Sequence, residues 1–207
     1  MMVVRLILPF ALLFLVPAAW AAGEEEFYGR QLQRAAAGDI AVAAAALAER
    51  ARVLPRGDLW RTRMQMAAML LRMRVERAVS LPARAPIDVP YRLAKGYVQA
   101  HPPPSKSSRW PVVLMAALLP GLGHAWLGRW QDVKAVALLV WPMIVLTLWA
   151  AKRRMGPVTV FFALITLWLW SGSVYSALSL HEREAMEQYL AWWQQLWLAS
   201  ALPGRPW

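Results

Sequence analysis

The chain contains no cysteine, which excludes disulfides, thiol nucleophiles and cysteine-ligated metals within it. Charge is also scarce: 17% of residues are charged, against about 25% in an ordinary soluble domain. There are three histidines, and none belongs to a zinc-binding H-E-x-x-H pair. No Gly-x-Ser-x-Gly turn, phosphate loop or dinucleotide fingerprint occurs. His181, Glu182, Glu184 and Glu187 fall close together, but no second histidine stands at helical spacing to complete a metal set. In the two longest apolar runs the one charge is Lys134, at the very start of the first, where its stem can reach the interface. No charge lies deeper, so a proton or ion pathway has no carrier. These absences leave no catalytic residue, metal ligand or cofactor site to nominate.

What the chain has is apolar surface and positive charge. It is 59% hydrophobic, with 13 Trp and a formal net charge of +11. Of the 23 Lys and Arg, 15 lie between residues 24 and 109, beside 8 of the 12 acids. A basic solvated segment next to a membrane is drawn to anionic headgroups. Nucleic acid is not an expected partner, because no recognition module accompanies the charge.

Residues 1–22 read as a secretory signal: one charge, Arg5, then an apolar stretch from Leu6 to Val16, and Ala19-Trp20-Ala21 as the cleavage site. An uncleaved signal anchor is the alternative, and either would export the segment after it. Residues 23–100 are expected to form an exported helical domain. Phe27, Gln31 and Ala35 share a face, and Gly38-Asp39 and Pro55-Arg56-Gly57-Asp58 break the periodicity. From Leu59 to Ser80 a stripe of Trp60, Met64, Ala67, Ala68, Leu71 and Val75 marks the buried side. Pro82, Pro86 and Pro90 punctuate an irregular stretch, and residues 101–109 are a Pro/Ser linker.

The membrane domain is expected over residues 110–180. Val133 to Ala151 and Val158 to Leu178 are each long enough, at about 1.5 Å per residue, to cross a hydrocarbon core of roughly 30 Å. Lys152, Arg153 and Arg154 lie between them and determine the topology, since positive charge stays cytoplasmic. Both outer ends of this hairpin are then exported, in agreement with the leader only if residues 110–127 dip rather than span. Trp110, Trp126 and Trp130 suit an interface there. Ser171-Gly172-Ser173 reads as small residues permitting close helix packing. The tail, residues 181–207, carries Trp192, Trp193 and Trp197 on an apolar face and is expected to lie in the outer headgroup layer; a packed terminal helix is the alternative.

At the centre stands Pro120-Gly121-Leu122-Gly123-His124-Ala125-Trp126-Leu127-Gly128-Arg129. A proline and three glycines so close together cannot be helix interior, so Pro120, Gly121, Gly123, His124, Trp126 and Gly128 are assigned to a structural turn. His124, the titratable side chain within it, is expected to bond the turn's backbone.

Two resemblances attach to these residues. Gly38-Asp39 through Pro55 resembles the second half of a tetratricopeptide repeat, with Ala43 and Leu47 at packing positions and Arg50 where a small residue is usual. It implies either a protein-binding groove or a small bundle that covers the membrane domain. The central motif resembles the P-G-x-G-[Q/H]-x-Y-x-G-[R/K] signature of small bacterial membrane hairpin proteins, akin to the two-transmembrane hairpin domain. Trp170 to Ala177 looks like their closing W-x-G-N-x-Y-x-A element, with Ser173 for Asn, and Trp126 replaces the usual Tyr. The resemblance implies an architecture and no activity. The expectation is therefore an all-α integral membrane protein of the bacterial inner membrane. Its helical domain and tail are periplasmic, its partners are the lipid bilayer and a protein bound by the helical domain, and no cofactor is needed. Its expected role is that of a non-enzymatic scaffold or accessory subunit; the alternative is a lipid- or membrane-protein-handling factor acting on the outer leaflet.

Overall fold

The structure, a computed structural model, describes residues 23–78, 81, 88–105 and 108–207. The leader-like residues 1–22 and most of the proline-punctuated stretch before Asp88 lie outside the described residues. Those described are helical, with no strand among them. Contacts divide the described residues into two compact units, one joining those from 23 to Pro103 with Leu190–Trp207, the other spanning Pro104–Tyr189.

In the first unit the breaks fall where glycine allows the chain to turn. Helix α1 (residues 23–36) ends before Gly38, whose φ of +110° suits glycine. Helix α2 (Ile40–Val53) stops at extended Leu54 before Pro55. Helix α3 (Leu59–Glu76) starts where the Asp58 carboxylate accepts from the Trp60 amide at 2.7 Å. Helix α4 (Val89–Ala100) carries Pro90 in its first turn. α1 and α2 are tied by a forked ion pair, Arg50 donating from Nε to Glu24 at 3.0 Å and again from Nη2. The residue that departs from the repeat pattern thus fixes the start of α1.

α2 packs on α3. Of the α3 stripe, Met64, Ala67, Ala68 and Leu71 are buried, whereas Trp60 is partly exposed and Val75 half exposed. Ala43 and Leu47 on α2 are buried as the repeat-like register expects. α3 also has a second buried face, Met66, Leu70 and Met73, that one stripe does not anticipate. The end of the chain meets α3 at Leu70 and Arg74. The Trp193 indole donates to the Leu70 carbonyl at 2.7 Å, across 123 residues of sequence. The Arg74 guanidinium lies 5.1 Å from the Trp193 ring centroid and donates to the Pro206 carbonyl at 3.0 Å.

The expectation for residues 181–207 is corrected here. They do not begin a separate surface-lying tail, because one helix, α8 (Gly156–Ala199), runs through the boundary. Trp193 and Trp197 are 1% and 0% exposed. Their rings complete the hydrophobic core of the first unit, and a packed face is unavailable to headgroups. Trp192 likewise donates to the His101 carbonyl at 2.8 Å. The helical domain is therefore residues 23–100 plus the chain's last turns, not residues 23–100 alone.

Ala43 has no exposed surface, so Ala43→Glu should place an unpaired charge in the core at a cost of about 3–5 kcal/mol. The whole chain in detergent should then lose the protection of α2 and α3 amides from hydrogen exchange. Native protection in the variant would refute this packing register.

In the second unit, α5 (Trp110–Leu118), α6 (Leu122–Trp126) and α7 (Trp130–Lys152) precede α8. Helix α7 continues through Pro142. Two helices, α7 and α8, are long and apolar enough to cross a membrane, and in the most apolar window of each only 11% of the residues are buried. Leu138, Val145, Leu148, Phe161, Leu164 and Trp168 are among the large apolar side chains left exposed along them. Between the helices the Thr147 and Thr166 hydroxyls meet at 3.1 Å. Each also lies within bonding distance of the carbonyl four residues back in its own helix. Lys152, Arg153 and Arg154 form the connecting turn, all exposed, with Arg154 at φ +56°.

Candidate functional site

The central segment is a helix–turn–helix, which corrects the expectation of a turn throughout. Gly123, His124 and Trp126 lie on the short helix α6, with Gly121 as its N-cap and Gly128 just beyond its end. The three glycines do different things. Gly121 (φ +93°) and Gly128 (φ +74°) occupy left-handed backbone, where a side chain is strained. Gly123 has another reason. A Cβ there would lie 2.6 Å from the Ala116 Cβ on α5 and 3.1 Å from the Ala177 Cβ on α8. The short helix α6 is thus wedged between two alanines, and its backbone reaches them only because Gly123 has no side chain. Pro120, Gly121, Gly123 and His124 are buried, while Trp126 is exposed.

The two sequence elements that carry the hairpin resemblance come together at this wedge. The Trp170 indole donates to the Ala116 carbonyl at 3.1 Å. Gly123 faces Ala177, and the His124 Nε2 lies 3.3 Å from the Ser176 hydroxyl. Val112, Ala116 and Ala177 form the buried apolar cluster beside them, flanked by Leu127 and Val174.

Two expectations are corrected by these contacts. The imidazole of His124 bonds a serine of α8 rather than the turn's own backbone. The backbone needs no side-chain help, because Ala125 N–H donates to Gly121 C=O and Arg129 N–H to His124 C=O. Close packing also does not run through Gly172, where an added Cβ would meet nothing within 4 Å. The small residues in contact are Gly123, Ala116 and Ala177. Ser173 is buried, but its hydroxyl donates to the Trp170 carbonyl of its own helix.

The site's chemistry is limited by access. His124 is 1% exposed, and its Nδ1 has no partner among the described residues. Burial pushes the imidazole below its ordinary value, reinforced by Arg129 and partly opposed by Asp132. Among the described residues, no three His, Asp or Glu side chains gather into a metal-binding group. Lys152, Arg153 and Arg154 belong to the inter-helix turn and take no part in the wedge.

A pH effect is expected from the buried histidine. The unfolded chain protonates His124 near 6.5, whereas the folded site resists the charge. Its contribution to stability is therefore present above pH 6.5 and is lost as pH falls from there toward the lower folded value. The melting temperature in detergent should drop between pH 7.5 and 5.5, and His124→Gln should flatten that drop. An identical pH profile in the variant would mean that the ring does not sense its burial.

Compared with protein-family models, curated proteins and solved structures, the chain matches none.

Proposed function

We propose that this is a membrane-anchored, non-enzymatic scaffold or accessory subunit that presents its helical unit to a protein partner on the exported face of the bacterial inner membrane. One observation carries the reading: the helical unit is closed by the chain that returns from the apolar helices, with Trp193 seated on α3. A domain attached to its anchor at both ends is suited to presentation. The motif supports the same view, since its histidine is enclosed and engaged to Ser176. With Trp193 and Trp197 in the core, the Trp-rich tail no longer argues for a factor that perturbs the outer leaflet.

Parity supports the proposed topology. The described residues from 23 to Pro103 and residues Leu190–Trp207 belong to one compact unit, which supports their lying on one side of any membrane that the chain crosses between them. The number of crossings is then even. Two crossings, by α7 and α8, meet that condition, and a third by α5 and α6 would break it. Reporter fusions after Ser105 and after Trp207 should both read as exported, and a fusion at Met155 as cytoplasmic. A cytoplasmic reading at the C-terminus alone would overturn the arrangement. For the role itself, purification in mild detergent should bring down a protein partner in fixed stoichiometry. Recovery of lipid alone would favour the lipid-handling alternative.

A further inference from the structure

α2 and α3 leave a cleft of about 400 Å³ on the helical unit. Its apolar lining is Ala48 from α2 and Ala68, Met69 and Met73 from α3, beside the polar Gln65. Arg52 of α2 and Arg72 of α3 supply positive charge at its walls, and Glu76 lies at one end. We propose that this cleft docks an acidic peptide segment of a partner protein, with one apolar side chain on Met69 and carboxylates on Arg52 and Arg72. This rests on the scaffold reading and names the chemistry of its partner.

The composition of the cleft selects that occupant. A methionine lining adapts to apolar side chains of different shape, so it sets the need for an apolar residue without fixing which. The arginines set the sign. Arg72 has no ion pair among the described residues, and Arg52 holds only Glu49, in a pair with both side chains about 70% exposed. An exposed pair of this kind is worth no more than about 1 kcal/mol, so Arg52 can exchange it for a ligand carboxylate. Guanidinium groups accept carboxylates with two parallel bonds, which gives direction as well as attraction. The excess of basic over acidic residues between positions 24 and 109 would favour the approach of an acidic segment. Glu76 fixes the polarity, since acidic residues of the ligand must avoid that end. A membrane surface is the less suitable occupant, because a flat array of phosphates cannot place an apolar side chain in a cleft between helices.

The test uses the full chain in a neutral detergent and a fluorescein-labelled peptide with one leucine between pairs of glutamates. Saturable binding by anisotropy is expected, weakened about tenfold by Arg52→Gln with Arg72→Gln and tightened by Glu76→Gln. Replacing the peptide's leucine by serine should also weaken it, whereas Arg56→Gln, outside the cleft, should leave it unchanged. Equal binding of a lysine peptide would overturn the proposal, as would indifference to the double substitution. So would charge-dependent binding to phosphatidylglycerol vesicles with none to the peptide. If a stoichiometric partner still purifies with the double variant, the scaffold stands and the cleft is not its docking site.

Discussion

Trp193→Ala should unfold the helical unit in an otherwise intact chain. Large-to-small substitution of a buried aromatic costs about 3–5 kcal/mol, and here the ring is 1% exposed. The loss extends beyond the cavity. The indole donates to the Leu70 carbonyl, carries the Arg74 guanidinium on its face and meets Trp197 and Trp207 at ring-centroid distances of 5.6 and 5.9 Å. A domain of ordinary stability has about 5–15 kcal/mol in total, so this one residue accounts for a large share. Limited proteolysis should cut within α1 to α3 of the variant and leave the apolar helices protected. Trp193→Phe, which keeps a ring but loses the donor, should cost far less. Wild-type resistance of the alanine variant would mean that the chain's end does not close this core.

The second large effect belongs to Gly123. A single methyl group is enough to disturb the wedge, because the added Cβ would stand 2.6 Å from another Cβ and 3.2 Å from the Ala116 Cα. No flexible side chain is there to move aside, so α6 must shift as a whole. Overpacking typically costs about 1–3 kcal/mol for added methylenes, and Gly123→Leu should exceed that range and abolish accumulation in the membrane. Gly123→Ala should reduce accumulation and be partly restored by Ala116→Gly, which removes the nearest clashing atom. The same second substitution should not rescue the leucine. His124→Gln should accumulate normally, since glutamine can still reach a hydroxyl partner. If Gly123→Leu accumulates while His124→Gln abolishes a deletion phenotype, the motif is a chemical site and the wedge is incidental.

The parts of this fold that local chemistry determines could be read from the residues themselves. Gly38, Gly57, Gly121 and Gly128 take positive φ where the sequence breaks, and α7 and α8 cover the two apolar runs. The stripe on α3 found its buried side through helical spacing alone. What escaped were pairings across long separations. His124 and Ser176 are 52 residues apart, and a lone histidine gives no sign of which distant hydroxyl it meets. Met66, Leu70 and Met73 lie off the main stripe, and the indole that meets the Leu70 carbonyl comes from 123 residues away. The tail misled for a physical reason. An apolar, Trp-rich helical face has the same composition whether it meets headgroups or a protein core, so periodicity cannot separate the two. Gly172 misled in a similar way, since small residues show that close approach is possible without showing which face is approached.

The closure of the helical unit by Leu190–Trp207 also sets an order on biosynthesis. On the proposed topology, α3 emerges well before Trp193, and its Leu70 carbonyl stays without the indole until Leu190–Trp207 have been made and have reached the same side of the membrane. At about 5–20 residues per second, the chain between Pro103 and Leu190 occupies the ribosome for several seconds. During that interval the early helices are a sticky, protease-sensitive surface. On that topology, completion of the domain would act as a check on insertion: a chain whose hairpin fails never hides that surface. In a chain inserted as proposed, the segment that follows the two apolar helices protects the helices that precede them.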